Sequence, residues 1–209
     1  LFRSYNNSPE PINLKGYRFA SYNWDVEIEN AYILKPWDTV VIWSRTSSVS
    51  PLSLEAFNYN YFYSYKSKYL EEKDIILLDD ISGLVNGGNT LTVYDSDGLE
   101  VVRADYSSQD VSLKQTVTFS YPKDNTRTME KLAAHQQPTP GWLAEAQVPA
   151  RPVSDEEAPQ LPTNLKAIPG NGEATLSWDA STETDLYRYH IYKDGKHEYS
   201  VDPSQTEYT

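Results

Sequence analysis

An all-β chain is predicted from three observations. Thr39-Val40-Val41-Ile42-Trp43 is a run of β-branched and aromatic residues, which suits a strand covered on both faces. Asn23 to Ile28 and Gln115 to Tyr121 alternate polar and apolar residues with the period of two of half-buried strands. Turn-forming clusters punctuate the chain at short intervals, the strongest being Asp95-Ser96-Asp97-Gly98.

The bulk properties bound what such a chain does. Its 209 residues, 39% apolar and 13% aromatic, suffice for one large or two small domains, each with a core. Seventeen tyrosines argue against disorder despite a negative mean hydropathy. A net charge of −12 argues against direct binding to nucleic acid or anionic lipid, which draws on clusters of Lys and Arg. Cysteine is absent, which removes disulfides, thiol catalysis and Cys-based zinc sites. No apolar run approaches the roughly 20 residues that span a bilayer, so no membrane insertion is expected. No charged-then-apolar leader stands at Leu1, and the expectation is a removed signal or a start inside a longer precursor.

Taken in order, Asn6-Asn7-Ser8-Pro9-Glu10-Pro11 is a turn, and Ile12 to Phe19 is a strand in which Gly16 marks a bulge or a close backbone approach. Lys35-Pro36-Trp37-Asp38 reverses the chain into the Thr39 to Trp43 strand, because Pro36 pre-sets φ and has no N–H to donate. That strand is expected at the centre of a run of antiparallel strands. Ser53 to Asn58 suits one short helix capped by Ser50 or Ser53. Asp74 to Leu78 reads as another buried strand, and Asn86 to Asn89 as a turn or bulge. Thr90 to Tyr94 and Leu99 to Ala104 flank an Asp-Gly turn, giving the clearest hairpin in the chain. Pro138, Pro140 and Gly141 break regular structure before Trp142 and close this part.

Residues 148–161 carry prolines among Asp155, Glu156 and Glu157 and read as an extended, semi-rigid linker. Beyond them, Leu165-Lys166-Ala167, Ala174 to Trp178 and Leu186 to Tyr192 are short strands around glycine turns, with Trp178 set to enter a core.

Two resemblances rest on these segments. Tyr5-Asn6-Asn7-Ser8 with Pro11 to Tyr17, Ile33-Leu34-Lys35-Pro36 with Val40 to Trp43, Leu91 to Asp95 with Gly98, and Pro138 to Gly141 occur in an order that resembles the lamin-tail domain. That resemblance implies an immunoglobulin-like β-sandwich over residues 1–147, a module found in nuclear lamins and appended to secreted bacterial hydrolases. Arg3-Ser4 departs from it, standing where an acidic and an apolar residue are commoner. Residues 162–209 resemble the first half of a fibronectin type III domain, through Pro162-Thr163-Asn164-Leu165, Leu176-Ser177-Trp178-Asp179 and Tyr189-His190-Ile191-Tyr192-Lys193-Asp194-Gly195. An incomplete sandwich implies an open sheet edge, which pairs with another chain, with residues beyond this sequence, or stays poorly ordered. Neither module implies a catalytic centre.

No nucleophile elbow, zinc helix or phosphate loop is present, so no catalytic residue, cofactor or metal ligand is expected. His135, His190 and His197 read as structural or surface histidines. Asp95-x-Asp97-Gly98 resembles the opening of a calcium loop but lacks its glutamate, and reads as a hairpin turn. Glu71-Glu72 and Asp79-Asp80 read as solvated charge. The binding candidates are Tyr59, Tyr61, Tyr63, Tyr65 and Tyr69, since rings with a polar tip stack on sugars and anchor interfaces, and one short loop cannot bury them all.

The functional expectation is a non-catalytic module pair, extracellular or at the cell surface, within a larger parent polypeptide, meeting a protein or glycan surface. The alternatives are a fragment of a secreted metallophosphoesterase or nuclease whose catalytic domain lies elsewhere, and a carbohydrate-binding module.

Overall fold

A computed structural model describes residues 2–45, 53–62, 69–79, 81, 83–123, 126–150, 159–183, 186 and 188–209. Contacts divide the chain into two compact units, Leu1–Arg151 and Pro152–Thr209. The fold is all-β and of sandwich type, with one short α-helix among the described residues.

In the first unit, β1 (Phe2–Tyr5), β6 (Thr39–Arg45) and β7 (Ile75–Asp79) form a three-stranded sheet with β6 in the middle. A four-stranded sheet runs in the order β4 (Trp24–Glu27), β3 (Arg18–Ser21), β8 (Gly88–Tyr94), β9 (Glu100–Ser107). Between them lies a core of Phe19 from β3, Val40 and Ile42 from β6 and Leu78 from β7, with Leu14, Ile28 and Leu34. Smaller pairs complete the unit: β2 (Ile12–Asn13) with β5 (Ile33–Leu34), and β10 (Thr116–Pro122) with β11 (Met129–Gln136).

The central strand is covered on both faces, as its sequence implies. Val40, Val41 and Ile42 are at most 1% exposed, and each burial contributes about 1.5–3 kcal/mol relative to an exposed side chain. The approach to β6 is fixed by Asn6, itself buried. Its side-chain amide donates to the carbonyls of Glu10, Leu34 and Lys35, and its Oδ1 accepts from the Ser8 N–H and hydroxyl. Its backbone carbonyl accepts from the Trp37 N–H at 3.1 Å, in a turn where Trp37 has a φ of 58°. A polar hub thus holds a conformation usually left to glycine.

One expectation is corrected. β6 pairs antiparallel with β1 but parallel with β7, in register from Val41↔Ile75 to Arg45↔Asp79. Parallel neighbours need a long crossover, and the chain from Arg45 to Ile75 provides it with the helix α1 (Leu54–Phe62). The Ile12 to Phe19 strand is two strands, β2 and β3, divided by a turn. Gly16 sits in that turn with a φ of 83°, and a Cβ there would stand 3.0 Å from Ser96 Cβ, so the close approach inferred from the glycine is present. The β8–β9 hairpin forms as read: Asp95 Oδ1 accepts from the N–H groups of Asp97 and Leu99, and Gly98 takes a φ of 80°. The Asp95 carboxylate therefore serves the turn.

In the second unit, β12 (Lys166–Pro169), β13 (Ala174–Ser177) and β16 (Glu207–Tyr208) form one sheet, and β14 (Tyr189–Lys193) and β15 (Lys196–Val201) form a hairpin. Trp178 enters the core as expected, packed edge-on against Tyr189 with ring centroids 5.3 Å apart and beside Val201.

Candidate binding surface

The tyrosine-rich stretch begins inside α1. Ser53 caps the helix: its Oγ accepts from the Ala56 N–H at 3.1 Å and its carbonyl from the Phe57 N–H at 2.9 Å. Ser50 and the candidates Tyr63 and Tyr65 lie outside the described residues. The helix runs to Phe62, past the Asn58 expected from sequence, because Phe57, Asn58 and Phe62 share a buried side that packing rewards even though aromatic residues and Asn favour helix only moderately.

That side covers the face of β6 that carries Val41 and Trp43. Phe57 lies 4.9 Å from the Trp43 ring centroid, and Phe62 lies 5.7 Å from Trp142 and 6.4 Å from Tyr69. Asn58 is 5% exposed, and its amide closes a two-way bond with Leu70, donating to the Leu70 carbonyl at 2.8 Å and accepting from its N–H at 2.9 Å. No signal in the sequence marks this bond, because Asn58 and Asn60 alternate alike with the aromatic residues and only Asn58 falls on the buried side.

Two of the candidates, Tyr59 and Tyr61, are on the helix and keep exposed surface. Tyr59 is 59% exposed and Tyr61 40% exposed. Tyr61 is not loose: its ring sits 4.7 Å from that of Phe57, its i−4 neighbour. Tyr69 is half-buried in the aromatic cluster and serves more as a wall than as a contact surface. The five candidates therefore separate into two presented rings, one packed ring and two undescribed ones.

The cluster is closed by the segment that sequence assigns to the end of the first part. Arg3, half-buried on β1, donates to the carbonyls of Thr139 and Trp142, to Thr139 Oγ1 at 2.7 Å and to Gln147 Oε1 at 2.7 Å. The Thr39 hydroxyl donates to the Gly141 carbonyl at 3.1 Å. These bonds press Trp142 onto Phe62. Burial lowers the Arg3 pKa, and its acceptors among the described residues are neutral oxygens, whose hydrogen bonds offset the desolvation.

Elsewhere the charged groups serve structure. Asp110 accepts from Lys131 Nζ at 2.8 Å and from the Ser107 N–H and hydroxyl, which lowers its pKa to about 2, the Lys131 bond being the main cause. Glu71 pairs with Lys73 at 2.8 Å on the surface. A shallow depression lined by Asn86, Ser108, Val111, Ser112, Leu113 and Lys114 brings a single ionisable side chain to its wall. His190 and His197, seven residues apart, are brought together by the β14–β15 hairpin, with His190 Nδ1 3.3 Å from His197 Nε2. Among the described residues no group of three or more His, Cys, Asp or Glu side chains is arranged to hold a metal ion, and no helix is long and apolar enough to cross a membrane. No protein-family model matches the chain, and a comparison with curated proteins returns no match.

Proposed function

We propose that this chain is a non-catalytic accessory module pair that positions a larger extracellular or cell-surface protein, and that α1 meets its protein or glycan partner through Tyr59 and Tyr61. The observation that carries the reading is the construction of α1. The helix is locked into a core through Phe57, Asn58 and Phe62, while Tyr59, and Tyr61 at the rim where it packs on Phe57, keep exposed ring surface. Rings held on a fixed helix lose little conformational freedom on binding, and their polar tips tolerate exposure in the free protein. The lamin-tail and fibronectin type III resemblances support the secreted context and the larger parent polypeptide.

The test is binding of the full chain to bacterial envelope preparations and to a panel of insoluble polysaccharides. Tyr59→Ala/Tyr61→Ala is expected to lower retention at least about tenfold while leaving stability within about 0.5 kcal/mol, as for surface substitutions elsewhere. Protease treatment of the envelope separates a protein partner from a glycan. Retention equal in the native chain and the variant, or no retention on any surface, overturns the proposal.

A further inference from the structure

The β14–β15 hairpin carries a second, unrelated grouping. His190 and His197 stand on one face of it, both exposed, while Ser200 beneath them is fully buried. The cross-strand pairs His190↔Ser200 and Tyr192↔His197, with a register shift between Ile191 and Tyr192, set this arrangement. His190 Nδ1, His197 Nε2 and Ser200 Oγ form a triangle with edges of 3.3, 2.9 and 2.9 Å. The Tyr192 ring flanks both imidazoles edge-on, at 6.4 Å from His190 and 5.7 Å from His197.

We propose that His190 and His197 bind a borderline divalent transition-metal ion of the zinc and nickel class, with the Ser200 oxygen as a weak third donor. The decisive distance is between the two nitrogens. Zinc binds imidazole nitrogen at about 2.0–2.1 Å, and two such bonds at the tetrahedral angle place the nitrogens about 3.3–3.4 Å apart. The hairpin already holds them at 3.3 Å, so binding requires the ring tautomers in which both nitrogens offer lone pairs and almost no movement of the backbone. Imidazole selects this class of ion, whereas magnesium and calcium prefer oxygen cages. Water fills the remaining positions on the exposed side. Sequence conceals the pair because its spacing has meaning only after a hairpin with a register shift has formed.

Titration of the full chain with zinc chloride, followed by calorimetry and by the imidazole signals in NMR, tests the site. One ion per chain is expected, undisturbed by equimolar magnesium. His190→Gln and His197→Gln are each expected to weaken binding at least tenfold, Ser200→Ala less than about threefold, and His135→Gln, on β11 in the other unit, not at all. Binding of copper(II) to the native chain is expected to show two equatorial nitrogens by electron paramagnetic resonance, a readout independent of any variant. Zinc affinity unchanged in His190→Gln/His197→Gln, displacement by magnesium at equal concentration, or no binding at millimolar zinc overturns the site.

Discussion

Val40 and Ile42 point from β6 into a core of Leu14, Phe19, Ile28, Leu34 and Leu78, largely aliphatic and closed by a second sheet. Their immediate neighbours Val41 and Trp43 point the other way, into Phe57, Phe62 and Leu70, with Tyr69 and Trp142 around them. Alternation along one strand thus feeds two separate cores. The first is enclosed mainly by strands whose backbone groups are paired within each sheet, with Asn6 fastening the turn that leads into β6. The second is enclosed by a helix and by an irregular segment, so side chains supply the polar fastenings: Asn58 to Leu70, Arg3 to Thr139 and Trp142, Thr39 to Gly141. The comparison teaches that a cover without regular structure requires buried polar groups of its own, and that the face built this way is the one that can present Tyr59 and Tyr61 outward.

The largest expected effect is on the aromatic side. Phe62→Ala, at a residue with no exposed surface, is expected to cost about 3–5 kcal/mol in urea unfolding, against about 1 kcal/mol for Ile42→Val on the aliphatic side. A Phe62→Ala cost no larger than that of Ile42→Val would break the idea that the helix-covered face is a true core. Next, Asn58→Ala leaves the Leu70 N–H and carbonyl buried without their partner, at an expected cost of about 2–4 kcal/mol. Hydrogen exchange at the Leu70 amide should accelerate well before that at Ile42, and equal acceleration at both would show that the two faces open as one unit.

The smallest effect lies outside both faces and calibrates them. The Asp110 carboxyl is depressed to about 2 in the folded chain and takes an ordinary value near 4 when unfolded. Its contribution is therefore complete above about pH 4 and is lost as pH falls through about 2. Asp110→Asn should be less stable than the native chain at pH 6, and the gap should close between pH 4 and pH 2. A gap that stays constant over that interval would remove the Lys131 pairing as its cause.

The β8–β9 hairpin was legible because its instructions are local: an Asp that accepts from the next backbone groups, a Gly at positive φ, and alternating residues on either side. The start of α1 was legible through Ser53, but its end was not. Residues 59–62 read as loop until Phe57 and Phe62 have a sheet to pack on. The continuous apolar runs at Thr39 to Trp43 and Ile75 to Leu78 marked strands, but only the first is buried throughout, since Leu77 is 46% exposed, and the same runs serve parallel and antiparallel pairing alike. Of the tyrosine candidates, the sequence could not separate Tyr59 and Tyr61 from Tyr69, since which side of a helix is covered depends on what lies beneath it.

By itself, then, the amino-acid sequence determined the all-β class, the strand buried on both faces and the turns, because each of these depends on neighbours within a few residues. Tertiary structure alone decided the parallel pairing of β6 with β7, the bond between Asn58 and Leu70, the Arg3 fastening and the meeting of His190 with His197. Each joins groups whose separation along the chain carries no information until backbone pairing and burial have fixed where they meet.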